Sequence, residues 1–338
     1  MAIHGPMTDS IVKLGTFVYH SLQDLPTFST KLRTFHINLA YHLYSIWLFT
    51  FSDIKTIILP SFAFALCTAF AAPVFAISPA PHMIDIFYRA PLSIFWIWIN
   101  LLPFAIDNQR RPAAIAEDLI NKPWRTMPMK RMTPSQARTM MVLFYLVAVS
   151  ASLRIGGSLQ CFSLVALGCW YNGMKGADEG CLIRNLINAC GFNQFMSGAF
   201  QVLLGDKFNS STTALRSWLF LIAAVVFTSV QTQDMYDQEG DSIRGRHTVP
   251  IVYGDILARW SIAVAMSFWC FFCPWYMCCP PIAIILSVTL GGSIAARTLT
   301  FRNVSDDKMT FRLWNLWMVN LYTLPLWKMA EIIGISVR

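Results

Sequence analysis

Gln233-Asp234-Met235-Tyr236-Asp237-Gln238-Glu239-Gly240-Asp241 follows directly on an apolar run over 214–233. Its three aspartates are spaced three and four apart. On a helix ending at a membrane surface, that spacing puts all three on one face. Like charges so placed repel unless a cation sits among them. Gly240 and Gly245 let the backbone turn, Pro250 closes the segment, and Arg244 and Arg246 can reach phosphate oxygens. A second acidic stretch lies upstream, from Asp107-Asn108-Gln109 through Glu117-Asp118 to Asn121-Lys122-Pro123-Trp124-Arg125. Of 18 acidic residues, seven fall in these two stretches. Charges at membrane boundaries are expensive and usually functional. Acids grouped with Arg and Lys suit Mg²⁺ ions that in turn hold a diphosphate.

Working outward, the 338 residues are 55% hydrophobic and 13% charged, with a mean hydropathy of +0.49. A soluble domain carries about 25% charged residues. The composition is that of a polytopic, all-α membrane bundle, and nine spans are expected, near 56–78, 84–107, 135–153, 157–173, 181–204, 214–233, 256–276, 280–298 and 312–334. Residues 36–52 are apolar but short, and Asp53 and Lys55 follow, so an interfacial helix is expected there. Residues 1–35 read as a polar cytoplasmic segment, and 36–338 as one transmembrane domain. Cys278-Cys279-Pro280-Pro281 predicts a tight hairpin between the seventh and eighth spans.

The formal net charge of +8 does not call for nucleic acid. Of 26 Lys and Arg, 20 fall on one side of the predicted topology and 6 on the other or in the last span and tail. By the positive-inside rule both acidic stretches face the cytoplasm. Asp118 and Asp234 are 116 residues apart (234 − 118) with four spans in the cycle, a pattern of two internal repeats each offering one acidic loop. Cys270-Phe271-Phe272-Cys273 lies inside an apolar helix without a second pair, and membrane-core cysteine is the better reading.

Two segments carry a family resemblance. Asp118-Leu119-Ile120-Asn121-Lys122-Pro123-Trp124-Arg125 resembles the end of the first motif of the UbiA superfamily of intramembrane prenyltransferases. Gln233 to Asp241, followed by Gly245, Thr248 and Pro250, resembles that superfamily's second motif, Asp-x-x-Asp-x-Glu-Gly-Asp with a downstream Gly-x-x-Thr-x-Pro. The usual first motif is Asn-x-x-x-Asp-x-x-x-Asp. Setting its last Asp on Asp118 puts Ala114 and Arg110 where Asp and Asn are usual. With Asn108 and Glu117 nearby, this altered motif is similar to that of the fungal UbiA-type terpene cyclases.

The resemblance implies a nine-helix bundle around a chamber, with Mg²⁺ as cofactor and a prenyl diphosphate as substrate, set in membrane lipid without a required protein partner. It implies Asp118, Asp234, Asp237 and Asp241 as catalytic residues. Asn108 and Glu117 would join these four as metal ligands. Asn121, Lys122, Arg125, Arg244 and Arg246 would bind the diphosphate. Tyr171, Phe195 and Trp314 would face a carbocation, with Trp170, Phe192 and Trp317 as further aromatics by position. Asn172, Asn185, Asn188 and Asn193 are expected to serve helix packing. The activity implied is cyclisation of a C15 or C20 prenyl diphosphate to a terpene hydrocarbon, in the endoplasmic reticulum with the active-site loops facing the cytoplasm. The alternatives are prenyl transfer to an aromatic acceptor and, from another class, a transporter. Sequons occur at Asn209 and Asn303, and the topology predicts no glycan on Asn303.

Overall fold

The structure is a computed structural model that describes residues 30–205 and 212–334, with side chains from residue 39 onward. Residues 1–29 of the N-terminal segment and the sequon at Asn209 lie outside the described residues. Helix α1 (Thr30–Thr50) runs through a 3-10 turn (Phe51–Asp53) and a π turn (Ile54–Ile58) into α2 (Leu59–Phe70). The expected interfacial helix over 36–52 is therefore corrected. It is the first part of one apolar run, Leu39–Phe70, long enough to cross a membrane. Asp53 and Lys55 do not end the helix. They sit on its irregular turns, and Pro60 falls in the first turn of α2, where its missing N–H costs nothing.

The remaining long helices are α3 (Met83–Gln109), α5 (Pro134–Ile155), α6 (Ser158–Gly168), α8 (Cys181–Leu204), α9 (Thr213–Ser229), α12 (Asp255–Tyr276), α13 (Pro281–Thr300) and α14 (Val304–Ile332). A π turn, Cys169–Gly173, extends α6, and a 3-10 turn, Val230–Gln233, extends α9. Four short helices lie between them: α4 (Pro112–Asn121), α7 (Gly176–Glu179), α10 (Gln238–Arg244) and α11 (Val249–Tyr253). Nine spans were expected; six helical segments among the described residues have the length and apolar character to cross a membrane. The segments containing α6, α8 and α14 are shorter or more polar. The hairpin at Cys278–Pro281 joins α12 to α13 as expected.

α8 occupies the middle of the bundle, against α2, α3, α6 and α9. That position explains why it tolerates Arg184, Asn185, Asn188 and Asn193: polar residues at membrane depth face the bundle interior. α5 by contrast leaves Leu143, Leu146 and Leu153 exposed, a surface suited to lipid. Close packing centres on Trp96 of α3, which is fully buried and donates to Ser152 Oγ at 2.9 Å. A Cβ on Gly157 or on Gly198 would overlap its indole, so both helices approach α3 only as glycine.

One charged clamp ties the last three helices. Arg259 of α12 donates to both carboxylate oxygens of Asp307 at 2.8 Å and to Asp255 at 2.8 Å. It also bonds the Thr298 carbonyl at the end of α13 at 3.0 Å. Such a planar fork is a strong form of ion pair, and here it uses both acids completely.

Candidate active site

Asp234, Asp237 and Asp241 do not share one helical face. Asp234 closes the 3-10 turn after α9, Asp237 caps α10, and Asp241 lies within α10. Where the helix gives way, Thr232 Oγ1 bonds back to Ser229 O at 2.7 Å and Gln231 Nε2 to Thr228 O at 2.8 Å. Side chains that bond locally in this way compete with continued helix. The first acidic stretch, read as a loop, contains α4, which holds Glu117 and Asp118.

α4 packs on α10, and that contact joins the two stretches. A Cβ on Gly240 would overlap the Asn121 amide, so glycine is what permits the approach. Asn121 Nδ2 donates to the Asp237 carbonyl at 3.2 Å, and Lys122 Nζ reaches Asp237 Oδ2 at 3.2 Å. Glu117 accepts from Arg244 on one oxygen and from Arg246 on the other, each at 2.9 Å. Arg246 also reaches Asp241 at 3.1 Å, and Arg244 reaches Asn108 Oδ1 at 3.5 Å. Arg125 binds both oxygens of Asp118, at 2.9 and 3.1 Å, and also Ser52. The predicted residues thus converge in one buried charged layer. Within it, Asn108, Glu117 and Asp118 do not meet as a cluster of their own.

Three members of this layer escaped the sequence reading. Arg184 donates to Asp234 at 2.8 Å and to the Tyr171 hydroxyl. Asp178 of α7 lies 3.3 Å from Arg244 and 3.5 Å from Arg246. Asp53 has Arg125, Lys122 and Asp118 as charged neighbours. A charge inside an apolar segment is a signal in itself, and it applied to Arg184.

The electrostatics follow from this crowding. Burial pushes the Asp241 carboxyl up to about 7; Asp234 adds to the rise, and Arg184 and Arg246 oppose it. Burial would also raise Glu117, but Arg246 and Arg244 outweigh it and hold that carboxyl below its ordinary value. Burial would lower Lys122, but Asp237 outweighs it and holds the ammonium above its ordinary value.

No three His, Cys, Asp or Glu side chains among the described residues form a ready-made metal cage. Mg²⁺ does not need one, because it is usually held by one or two carboxylates, waters and substrate phosphates. Asp234 Oδ2 and Asp241 Oδ2 are buried without a hydrogen-bond partner. Hard oxygen donors of that kind fit the ion. In the same layer Arg184 Nε is a buried donor without a hydrogen-bond partner, and Arg246 Nε has only the Asp178 carboxylate at 3.5 Å.

A mainly apolar chamber lies next to this layer, joined to it at Tyr171. Ile57, Phe104, Tyr145, Tyr171, Phe192 and Phe195 help to line it. Both π turns contribute, through Ile57 and Tyr171. Tyr171 connects chamber and charged layer, since its hydroxyl is held by Arg184. Trp314 does not line the chamber. It is fully buried, donates to Ser229 Oγ at 3.0 Å and meets Phe192 edge-on at 6.3 Å. Trp317 is likewise core, bonded to Ser287 Oγ at 3.2 Å. Asn185 and Asn193 bond the carbonyls of Phe227 and Leu219 on α9, as packing residues should. Asn188 lines the chamber, and both polar atoms of Asn172 are buried without partners.

The UbiA prenyltransferase family matches residues 113–320, and the chain belongs to that family. With its six membrane-crossing segments it is an integral membrane protein. It is 27% identical over 289 residues to the fumagillin beta-trans-bergamotene synthase of Aspergillus fumigatus, covering 84% of this chain and 92% of that one. The somaliensene A/B synthase of Streptomyces somaliensis is 24% identical, covering 83% and 90%. A digeranylgeranylglyceryl phosphate synthase of Methanobrevibacter smithii is 28% identical over 167 residues, 46% of this chain and 56% of that one. In fold, the chain resembles a solved digeranylgeranylglyceryl phosphate synthase with a TM-score of 0.54 at 17% identity, covering 85% and 98%. It also resembles a UbiA homolog from Archaeoglobus fulgidus bound to GPP and Mg²⁺, with a TM-score of 0.51 at 11% identity, covering 81% and 99%.

Proposed function

We propose that the protein ionises a C15 or C20 prenyl diphosphate and cyclises the chain to a terpene hydrocarbon, with Mg²⁺ as cofactor. One observation carries the reading. The charged layer holds a buried donor and buried acceptors without hydrogen-bond partners, Arg184 Nε against Asp234 Oδ2 and Asp241 Oδ2, beside an aromatic chamber. A diphosphate would satisfy the donor, and a hard cation the acceptors. Mg²⁺, when bound, neutralises charge on the departing diphosphate.

Arg244, Arg246, Arg125 and Lys122 orient the diphosphate at the boundary between layer and chamber. The C1–O bond breaks, and its electron pair leaves with the diphosphate. The faces of Tyr171, Phe192 and Phe195 stabilise the allylic cation and those that follow it. The prenyl chain's own double bonds close the rings, and loss of a proton ends the cascade. The apolar walls keep water from the cation. Similarity along most of the chain to two terpene synthases supports cyclisation. The shorter similarity to digeranylgeranylglyceryl phosphate synthases favours prenyl transfer as the second reading. We place the charged layer on the cytoplasmic face of the endoplasmic reticulum, as the Lys and Arg distribution favours.

Purified protein incubated with C10, C15 or C20 prenyl diphosphate and Mg²⁺, without an acceptor, is expected to release pyrophosphate and a cyclic hydrocarbon in excess of linear alcohol. Turnover that appears only with an aromatic acceptor would replace cyclisation by transfer.

A further inference from the structure

We propose that Lys55, Lys308 and Arg312 form an outer anion site, a ledge that receives the diphosphate of a prenyl diphosphate before it reaches the buried layer. The proposal rests on the prenyl-diphosphate reading above, and holds for cyclisation and transfer alike. It begins with the pairing of cations. In the buried layer Lys122, Arg125, Arg184, Arg244 and Arg246 each have a carboxylate within 4 Å. Lys55, Lys308 and Arg312 have none among the described residues.

Two of these cations flank one aromatic pair, and the third lies beside them on α14. Lys55 Nζ stands 5.9 Å from the Phe311 ring, and Lys308 Nζ stands 5.9 Å from the Tyr236 ring. The two rings are 5.7 Å apart, so the lysines flank a single aromatic pair. Arg312, one helical turn beyond Lys308 on α14, is the strongest charged neighbour of Lys55, and Lys122 is the next. Asp53 and Asp237 also act on Lys55, but neither forms an ion pair with it; like charges so gathered repel one another, and a bound anion relieves that repulsion. The positive-inside rule accounts for the number of cations on this side, but not for two of them flanking one aromatic pair.

The ledge adjoins the inner site. Lys308, Tyr236, Asp237 and Asn121 line one cleft, and Asp237 is the partner of Lys122. Of the other acids in that cleft, Asp255 and Asp307 are taken up by Arg259, and Glu239 is exposed. An incoming diphosphate otherwise meets a layer whose cations are already paired with Asp118, Glu117, Asp234, Asp237 and Asp241. Unpaired cations on the approach attract the diphosphate and raise the rate of capture.

The test is the double variant Lys308→Gln/Arg312→Gln in neutral phosphatidylcholine vesicles, assayed with C15 diphosphate and Mg²⁺. The expected result is an unchanged kcat and a kcat/KM lowered about tenfold at low ionic strength, as for loss of electrostatic steering. At high salt the difference should close. Equal kcat/KM for variant and wild type at both ionic strengths would overturn the proposal. Wild type that turns over no prenyl diphosphate would instead sink the functional reading. A second arm adds phosphatidic acid to the vesicles. If only the wild type responds to it, while the two proteins stay equal in neutral vesicles, the ledge binds lipid phosphate and the diphosphate assignment fails. Should the double variant not fold, Lys308→Gln alone is titrated with inorganic pyrophosphate and Mg²⁺ as a competitive inhibitor. Weaker inhibition than in wild type supports the ledge, and equal inhibition removes it.

Discussion

Glu117→Gln separates two roles for one carboxylate, metal ligand or structural counter-ion. In the structure both oxygens of Glu117 are occupied, by Arg244 and Arg246 at 2.9 Å each. The carboxylate side chain is 5% exposed and each guanidinium side chain 6%. Breaking a buried pair by removing one partner costs ~3–5 kcal/mol. Glutamine keeps one acceptor oxygen, so one bond survives in neutral form, while its NH₂ faces the second guanidinium. A loss near the lower end, ~3 kcal/mol, is expected. It should lower the unfolding midpoint in detergent by roughly 5 °C or more. The folded pKa of Glu117 lies below its unfolded value, because Arg246 and Arg244 outweigh burial. Its contribution to stability is therefore present above the unfolded pKa and lost as pH falls through the folded one. The variant should lack that acid limb. Since both oxygens already accept from guanidinium groups, the Mg²⁺ concentration giving half-maximal turnover should stay within about twofold of wild type. A variant as stable as wild type that needs far more Mg²⁺ would refute the counter-ion role and restore Glu117 as a ligand.

Three further outcomes are expected. The folded Asp241 value, about 7, lies above the ordinary 3.8, so its contribution to stability is full below the unfolded value and fades as pH rises through about 7. Metal binding needs the carboxylate, so below pH 7 the half-saturating Mg²⁺ concentration should rise by up to roughly tenfold per unit, and a flat Mg²⁺ requirement from pH 8 to 6 would argue against Asp241 as a ligand. Gly240→Ala drives a Cβ into the Asn121 amide and should cost ~1–3 kcal/mol, with loss of the Asn121–Asp237 bond and a raised KM; a melting curve and KM like those of wild type would count against the close approach of α4 and α10. Asn303 caps α14 by accepting from the Asp306 N–H at 2.9 Å and is predicted on the cytoplasmic side, so glycosidase treatment should produce no mobility shift assignable to Asn303; a glycan there reverses the topology.

Much of the fold was legible because bilayer chemistry is strict: long apolar runs must be helices, and the Pro280-Pro281 turn must be a hairpin. The start of the bundle was misread because Asp53 and Lys55 resemble an interface in sequence. A helix can carry both on irregular turns when they face opposite charges, Arg125 and Lys122 for Asp53, and Asp53 and Asp237 for Lys55. The two acidic stretches were legible by composition, but their internal pairing was not. Nothing in the spacing of Glu117 reveals that Arg244 and Arg246, 127 and 129 residues away, take both its oxygens. Nor could the spacing of Asp234, Asp237 and Asp241 show that the helix gives way to a 3-10 turn before Asp234 and restarts at Gln238. Trp314 had the right type and position for a chamber wall, but its indole N–H found Ser229 and turned it into core.

The arrangement also bears on how a charged reaction can start beside an apolar room. Asp234 holds Arg184, Arg184 holds the Tyr171 hydroxyl, and the Tyr171 ring lines the chamber. One wall residue is thereby fixed by the same ion pair that belongs to the diphosphate layer. Phe104 meets that ring at 5.5 Å, and Phe192 and Phe195 follow along α8, whose Arg184 and Asn188 lie one helical turn apart. Polarity therefore falls along one face of a single helix, from guanidinium to amide to phenyl, within a few turns. In the proposed reaction a leaving diphosphate would be stabilised at the polar end and a cation at the aromatic end, with little backbone rearrangement needed between them. Rigid placement of both ends on α8, packed by α2, α3, α6 and α9, would then let the charge separate without water entering the room.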